Sequence, residues 1–198
     1  MFTFEKCFDE VGQEFIGLLM VQPKVFADER GYFLETYSER DFLQAGLNVR
    51  FVQDNQSCSS GGVLRGLHFQ KHFPQGKLVR SLCGKVWDVA VDLRSGSPTF
   101  GKHYGVLLDC EKQNQFYVPP GFAHGFCVVS EQAVFAYKCT DFYHPEDEGG
   151  IAWDDPTLAI DWGRYLQGSP VLSAKDQSNP RFSADVRYFD MSGVWQGA

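Results

Sequence analysis

The side chains able to do chemistry in this sequence are few and far apart. His68, in VLRGLHFQ, carries an imidazole that titrates near neutral pH and suits a general base. Tyr137 in AVFAYKC has a phenol that can donate a proton. Lys77 in PQGKLVR has an ammonium that can steady a developing oxyanion. Asp176 in SAKD has a carboxylate that can orient the imidazole. Each also has an ordinary reading: a strand histidine bonded in the core, a packed tyrosine, an exposed lysine at a strand start, and a helix cap formed by Ser173 with Asp176. Singly they settle nothing.

Other chemistries have weaker support. GxSxG, GxGxxG and GxxxxGK[ST] are all missing, so no hydrolase elbow, dinucleotide turn or phosphate loop is indicated. The histidines are His68, His72, His103, His124 and His144, and none forms the i, i+2 pair of a metal-binding barrel strand. His68 and His72 are four apart, but Pro74 and Gly76 oppose a helix there. No metal site is expected.

The elements that must position these groups read mostly as strands. GKVWDVAVDLRSGSPTFG sets Trp87, Val89, Val91 and Leu93 on one parity and Asp88 and Asp92 on the other, then breaks at the turn SGSP. KHYGVLLD, QFYV, HGFCVV and AVFAYKCTDFY follow, separated by EKQN, PPG and SEQ, and short strands at this spacing suggest a sandwich or barrel. Helical signal is confined to SERDFLQAGL, where Ser38 and Asp41 resemble a capping box, and to SAKD. In VLRGLHFQ, plain alternation would send Arg65 and His68 to opposite faces. Gly66 between them can host a bulge, so a departure from alternation is expected at that point.

At 198 residues the chain reads as one domain, residues 1–198, with a full core. It is 43% hydrophobic and 22% charged, which is globular composition. A net charge of -7 argues against a general nucleic-acid binder, though an anionic small ligand needs only a few local cations. The six cysteines form no CxxC pair. The start MFTFEKCFDE lacks a secretory layout, and no run nears the roughly 18 apolar residues of a membrane span. A cytoplasmic protein without membrane partners is the expectation.

The segments KVFADERGYFLETY, FVQDNQS, VLRGLHFQ, QGKLVR, VWDVAVDLRSGSPTFG, VPPGFAHGF, YKCTDFY, GGIAWDD and LSAKD, in order from about residue 23 to residue 176, resemble the dTDP-4-dehydrorhamnose 3,5-epimerase family. The resemblance implies an all-β, cupin-type jelly-roll barrel with a few short helices, a homodimer, and no metal or organic cofactor. It implies a substrate, dTDP-4-dehydro-6-deoxyglucose, inverted at C3 and C5. It makes His68 the base, Asp176 its dyad partner and Tyr137 the acid on the opposite face of the sugar. Lys77 then lies near the C4 oxygen and Arg65 at the diphosphate. His124, Glu148 and Lys175 match further substrate-binding positions. Arg30, Glu35, Gln53, Asp54 and Asn55 match the nucleotide-contacting set, partly supplied across the dimer, where N-terminal strands are candidates for exchange.

The chemistry fits these residue types independently. C3 and C5 flank a ketone, so loss of either proton leaves an enolate with its charge on the C4 oxygen, where a buried ammonium stabilises it. A carboxylate behind the imidazole stabilises the imidazolium, and inversion needs a donor on the other face. Three alternatives stay open: an epimerase that inverts a single centre of a related nucleotide 4-ketosugar, a non-catalytic sugar-nucleotide-binding barrel, and a metal-dependent cupin. Residues 1–22 and the tail 177–198 carry little recognisable pattern.

Overall fold

The computed structural model describes residues 1–197. The chain opens with β1 (Phe2–Phe8) and β2 (Glu14–Pro23), a hairpin of β3 (Val25–Asp28) and β4 (Gly31–Leu34), and helix α1 (Glu39–Gln44). Then come β5 (Gln53–Ser60), β6 (Leu64–Gln70), β7 (Lys77–Cys83), β8 (Lys85–Asp92) and β9 (His103–Asp109). β10 (Gln115–Val118), β11 (Phe122–Val128), β12 (Gln132–Cys139) and the short β13 (Glu148–Gly150) complete the sheets, and α2 (Ala174–Gln177) follows. One sheet has the order β1-β2-β10-β7-β12-β5 and the other β13-β6-β11-β8-β9. All the strand pairs are antiparallel. This is the expected all-β jelly roll, with the two α-helices at the two capped sites and short 3-10 turns at Pro145–Asp147 and Trp162–Arg164.

Between the sheets lies a core that includes Phe15, Leu18, Val79, Phe116, Phe126 and Phe135. A second core covers the outer face of the five-stranded sheet. There Trp87, Val89 and Val91 of β8, with Leu93 just after it, meet Trp162, Phe182, Tyr188 and Phe189 from the C-terminal segment. The tail with no recognisable pattern is thus the cover of that sheet, with Trp195 packed against it. With both faces of β8 covered, its other parity points into the barrel, and Asp88 and Asp92 are buried. Each has partners, as buried carboxylates require. Asp92 accepts from Arg94, Ser97 and Thr99 and so fastens the SGSP turn.

The N-terminal strands pair within this chain, β1 with β2 and β2 with β10. The β3–β4 hairpin pairs only with itself and exposes Tyr32 and Phe33. Ser38 caps α1 and Ser173 caps α2, each through its hydroxyl to the backbone three residues on. Among the described residues no helix is long and apolar enough to cross a membrane.

Candidate active site

A cavity of about 530 Å³ opens between the two sheets. His68 and Arg65 reach it from β6 and His124 from β11, on the five-stranded side. Lys77 from β7 and Tyr137 from β12 face them from the six-stranded side. Glu148 and Asp176 close the wall.

Arg65 and His68 share this cavity because β6 carries one residue too many for regular pairing. His124 pairs with His68 and Phe126 with Arg65, so three steps along β6 match two along β11. The extra residue is the expected bulge. Gly66 adopts φ +112°, and a Cβ there would sit 2.5 Å from Gly125 Cα, so both backbone shape and neighbour demand glycine.

Asp176 satisfies both readings of SAKD at once. Its Oδ1 lies 2.6 Å from His68 Nε2, while its Oδ2 accepts from the Ser173 hydroxyl at 2.7 Å. The Gly66 N–H, released from the ladder by the bulge, also donates to Oδ1 at 3.3 Å. The His68 contact is short but off the in-line hydrogen-bond direction. Such contacts often tighten only when substrate is bound. Burial raises the Asp176 carboxyl, but the close His68 imidazole and the bonds from Ser173 and Gly66 outweigh it and hold it below the usual carboxylate range. Asp176 therefore stays ionised behind the imidazole.

On the other side of the ring, Nδ1 is 3.7 Å from Glu148 Oε1. Glu148 is in turn bonded to Lys175 Nζ and to the Tyr143 hydroxyl. Burial pushes the Glu148 carboxyl up, yet Lys175, Tyr143 and His68 together leave it below its ordinary value.

Lys77 has no ion pair or side-chain hydrogen bond among the described residues. Burial pulls its ammonium below the ordinary lysine range, offset only in part by Cys139, Glu148 and Asp88. A desolvated cation with unspent donors suits an oxyanion. Burial also raises the Tyr137 phenol, so it holds its proton at neutral pH and can act as a donor.

Of the residues expected at the site, His68, Tyr137, Lys77, Asp176, Arg65, His124 and Glu148 line one cavity, and Lys175 joins them through Glu148. Gln53 and Asn55 reach a side chamber that shares His68, Lys77 and Tyr137. The remaining three are not brought there. Asp54, between Gln53 and Asn55, points to the outer face and pairs with Lys138 at 3.0 Å. Arg30 sits in the turn of the β3–β4 hairpin, paired with Asp28. Glu35 follows β4 and lines neither chamber.

Two residues at the site escaped the sequence reading. Asp88 holds His124 Nε2 between its two oxygens at 2.8 and 3.0 Å, which makes a second imidazole–carboxylate pair across the strand from His68. Its signal was a carboxylate on a strand otherwise rich in large apolar groups. Tyr143 lies in the YKCTDFY block and lines the cavity mouth. Its hydrogen bond to Glu148 pushes its phenol up to about 12. No group of three or more His, Cys, Asp or Glu arranged to share a metal ion occurs among the described residues.

The family profile described as dTDP-4-dehydrorhamnose 3,5-epimerase matches residues 13–184. A Pseudomonas aeruginosa dTDP-4-dehydrorhamnose 3,5-epimerase is 54% identical over 167 residues, 84% of this chain and 91% of that relative. The crystal structure of the Elizabethkingia anophelis enzyme of the same name superposes with TM-score 0.82 at 52% identity, covering 90% of this chain and 96% of that one. A Legionella pneumophila dTDP-6-deoxy-D-glucose-3,5-epimerase, solved in complex with dTDP-4-keto-L-rhamnose, gives TM-score 0.81 at 46% identity over 92% of this chain and all of that one. Likeness of sequence and fold at this level, along nearly the whole chain, places it in the dTDP-4-dehydrorhamnose 3,5-epimerase family.

Proposed function

We infer that this chain inverts C3 and C5 of dTDP-4-dehydro-6-deoxyglucose, with His68, Lys77, Tyr137 and Asp176 as its reacting set. The observation that carries the residue assignment is the convergence of a paired imidazole, an unpaired half-buried ammonium and a protonated phenol from opposite walls on one cavity. The imidazole nitrogen turned away from Asp176 removes the proton from carbon, and the C–H electron pair moves into the enolate. The charge settles on the C4 oxygen beside Lys77. Tyr137 returns a proton to the other face of the carbon, which inverts it. His68 then releases its proton to solvent and Tyr137 takes one up from solvent, which restores both groups, and the second carbon follows.

Arg65 supplies charge for the diphosphate at the cavity mouth. Gln53 and Asn55 lie on the nucleotide side. Arg30, Glu35 and Asp54 do not line that cavity within one chain, which supports a homodimer in which such residues serve a neighbouring site.

Incubation with the dTDP sugar in D2O, followed by NMR, tests this reading. Deuterium is expected at both C3 and C5. Label at one carbon means a single-centre epimerase, and tight binding without exchange means a non-catalytic barrel.

A further inference from the structure

Arg65 enters the cavity from the bulged part of β6, and its guanidinium is not paired with any carboxylate among the described residues. It is nevertheless held. Its Nε donates to the Ser59 hydroxyl oxygen at 3.1 Å and its Nη2 donates to the same oxygen at 3.0 Å. Ser59 is 7% exposed and lies near the end of β5, on the six-stranded sheet, whereas Arg65 belongs to the five-stranded sheet. The pair therefore spans the two sheets where the chain crosses between them.

We propose that Ser59 is the positioning residue for Arg65: it grips one edge of the guanidinium so that the other edge is presented, fully charged, to the diphosphate of the substrate. The proposal rests on the reading of Arg65 as the diphosphate ligand. A guanidinium has five N–H donors in a rigid fork. Ser59 engages the Nε/Nη2 edge, which leaves the Nη1/Nη2 edge for a bidentate contact with phosphate oxygens. The chemistry of the holder matters as much as its place. A carboxylate at 59 would grip the same edge more firmly, but its negative charge would cancel the field that attracts a diphosphate. A hydroxyl orients the cation and leaves its charge intact. Ordering the side chain beforehand also lowers the entropy lost when ligand binds.

The test compares binding of dTDP and of thymidine, which lacks the phosphates, with steady-state kinetics for Ser59→Ala, Ser59→Thr, Ser59→Asp and Arg65→Ala. Loss of one neutral hydrogen-bonding partner predicts that Ser59→Ala weakens dTDP and raises KM by about threefold to tenfold, with a smaller change in kcat. Ser59→Thr is expected to restore both, and Ser59→Asp to weaken dTDP more than Ala does. Thymidine affinity should be the same throughout, a readout that general damage to the barrel would move. Wild-type dTDP affinity in Ser59→Ala, with affinity lost in Arg65→Ala, overturns the positioning role alone. Wild-type dTDP affinity in Arg65→Ala overturns the diphosphate reading beneath it.

Discussion

The end of the cavity proposed to react and the residues matched to the nucleotide are built in different ways. His68, Tyr137, Lys77 and Asp176 come from three strands and a helix of one chain, and each is surrounded by packed neighbours or fixed by named bonds. Arg30 stands on a hairpin that pairs only with itself, and its side chain is 84% exposed. Asp54 is turned to the opposite side of the sheet. The contrast teaches where precision is needed. Proton transfer requires groups held within hydrogen-bond reach of carbon, and packing by a single chain achieves that. Recognition of a nucleotide tolerates looser groups, and those can be completed by the ligand itself or by a second subunit.

Substitutions can sharpen that contrast, and the largest effect is expected at the base. His68→Asn should lower kcat by about 10²–10⁴-fold, the usual contribution of a general base, with dTDP affinity little changed. A variant with normal turnover would remove the mechanism. Lys77→Met should cost about 10²–10³-fold in kcat, as for loss of an oxyanion donor. It should also raise the melting temperature at pH 7. The sign follows from linkage: desolvation lowers the folded pKa of Lys77 below 10.5, so at neutral pH the folded state carries the whole of that desolvation penalty. Wild-type stability recovers as pH rises from the folded value towards 10.5, and the advantage of the methionine variant should shrink over that window.

Asp176→Asn should lower kcat less than loss of His68 does, and it should be less stable than wild type near neutral pH. The folded Asp176 carboxyl lies below 3.8, so its contribution is present above that value and is lost as pH falls through the folded pKa. Thermal melts of the two proteins should differ by a constant amount down to about pH 4 and converge only in stronger acid. The smallest effect belongs to the hairpin. Arg30→Ala should leave the melting temperature unchanged, because its ion pair is solvent-exposed, and should show up only in KM. A large fall in kcat there would erase the distinction between the two regions.

Much of the reacting end was legible in the sequence. RGLHFQ, QGKL, the YK block and SAKD each carry a residue of the proposed reacting set inside a recognisable local pattern, and the bulge at Gly66 followed from the wrong parity of Arg65 and His68. Other features were hidden for physical reasons. Asp88 alternates with apolar neighbours, as a solvent-facing residue would. Its burial follows only from covering β8 on both faces, and the cover is a tail whose aromatic anchors obey no period. The block VQDN was matched as a unit, but a strand presents only alternate residues to one side, so Gln53 and Asn55 part company with Asp54.

The bulge has an implication for what a shorter gene would encode. Removing the codon for Gly66 would place the arginine and the histidine two positions apart on an ordinary strand, and both would still look into the barrel. What disappears is one main-chain amide turned toward the carboxylate of Asp176. The inserted residue therefore serves the carboxylate behind the imidazole and not the facing of the imidazole itself. A one-codon deletion variant that folds, retains dTDP affinity and yet epimerises slowly would be the signature of that missing amide.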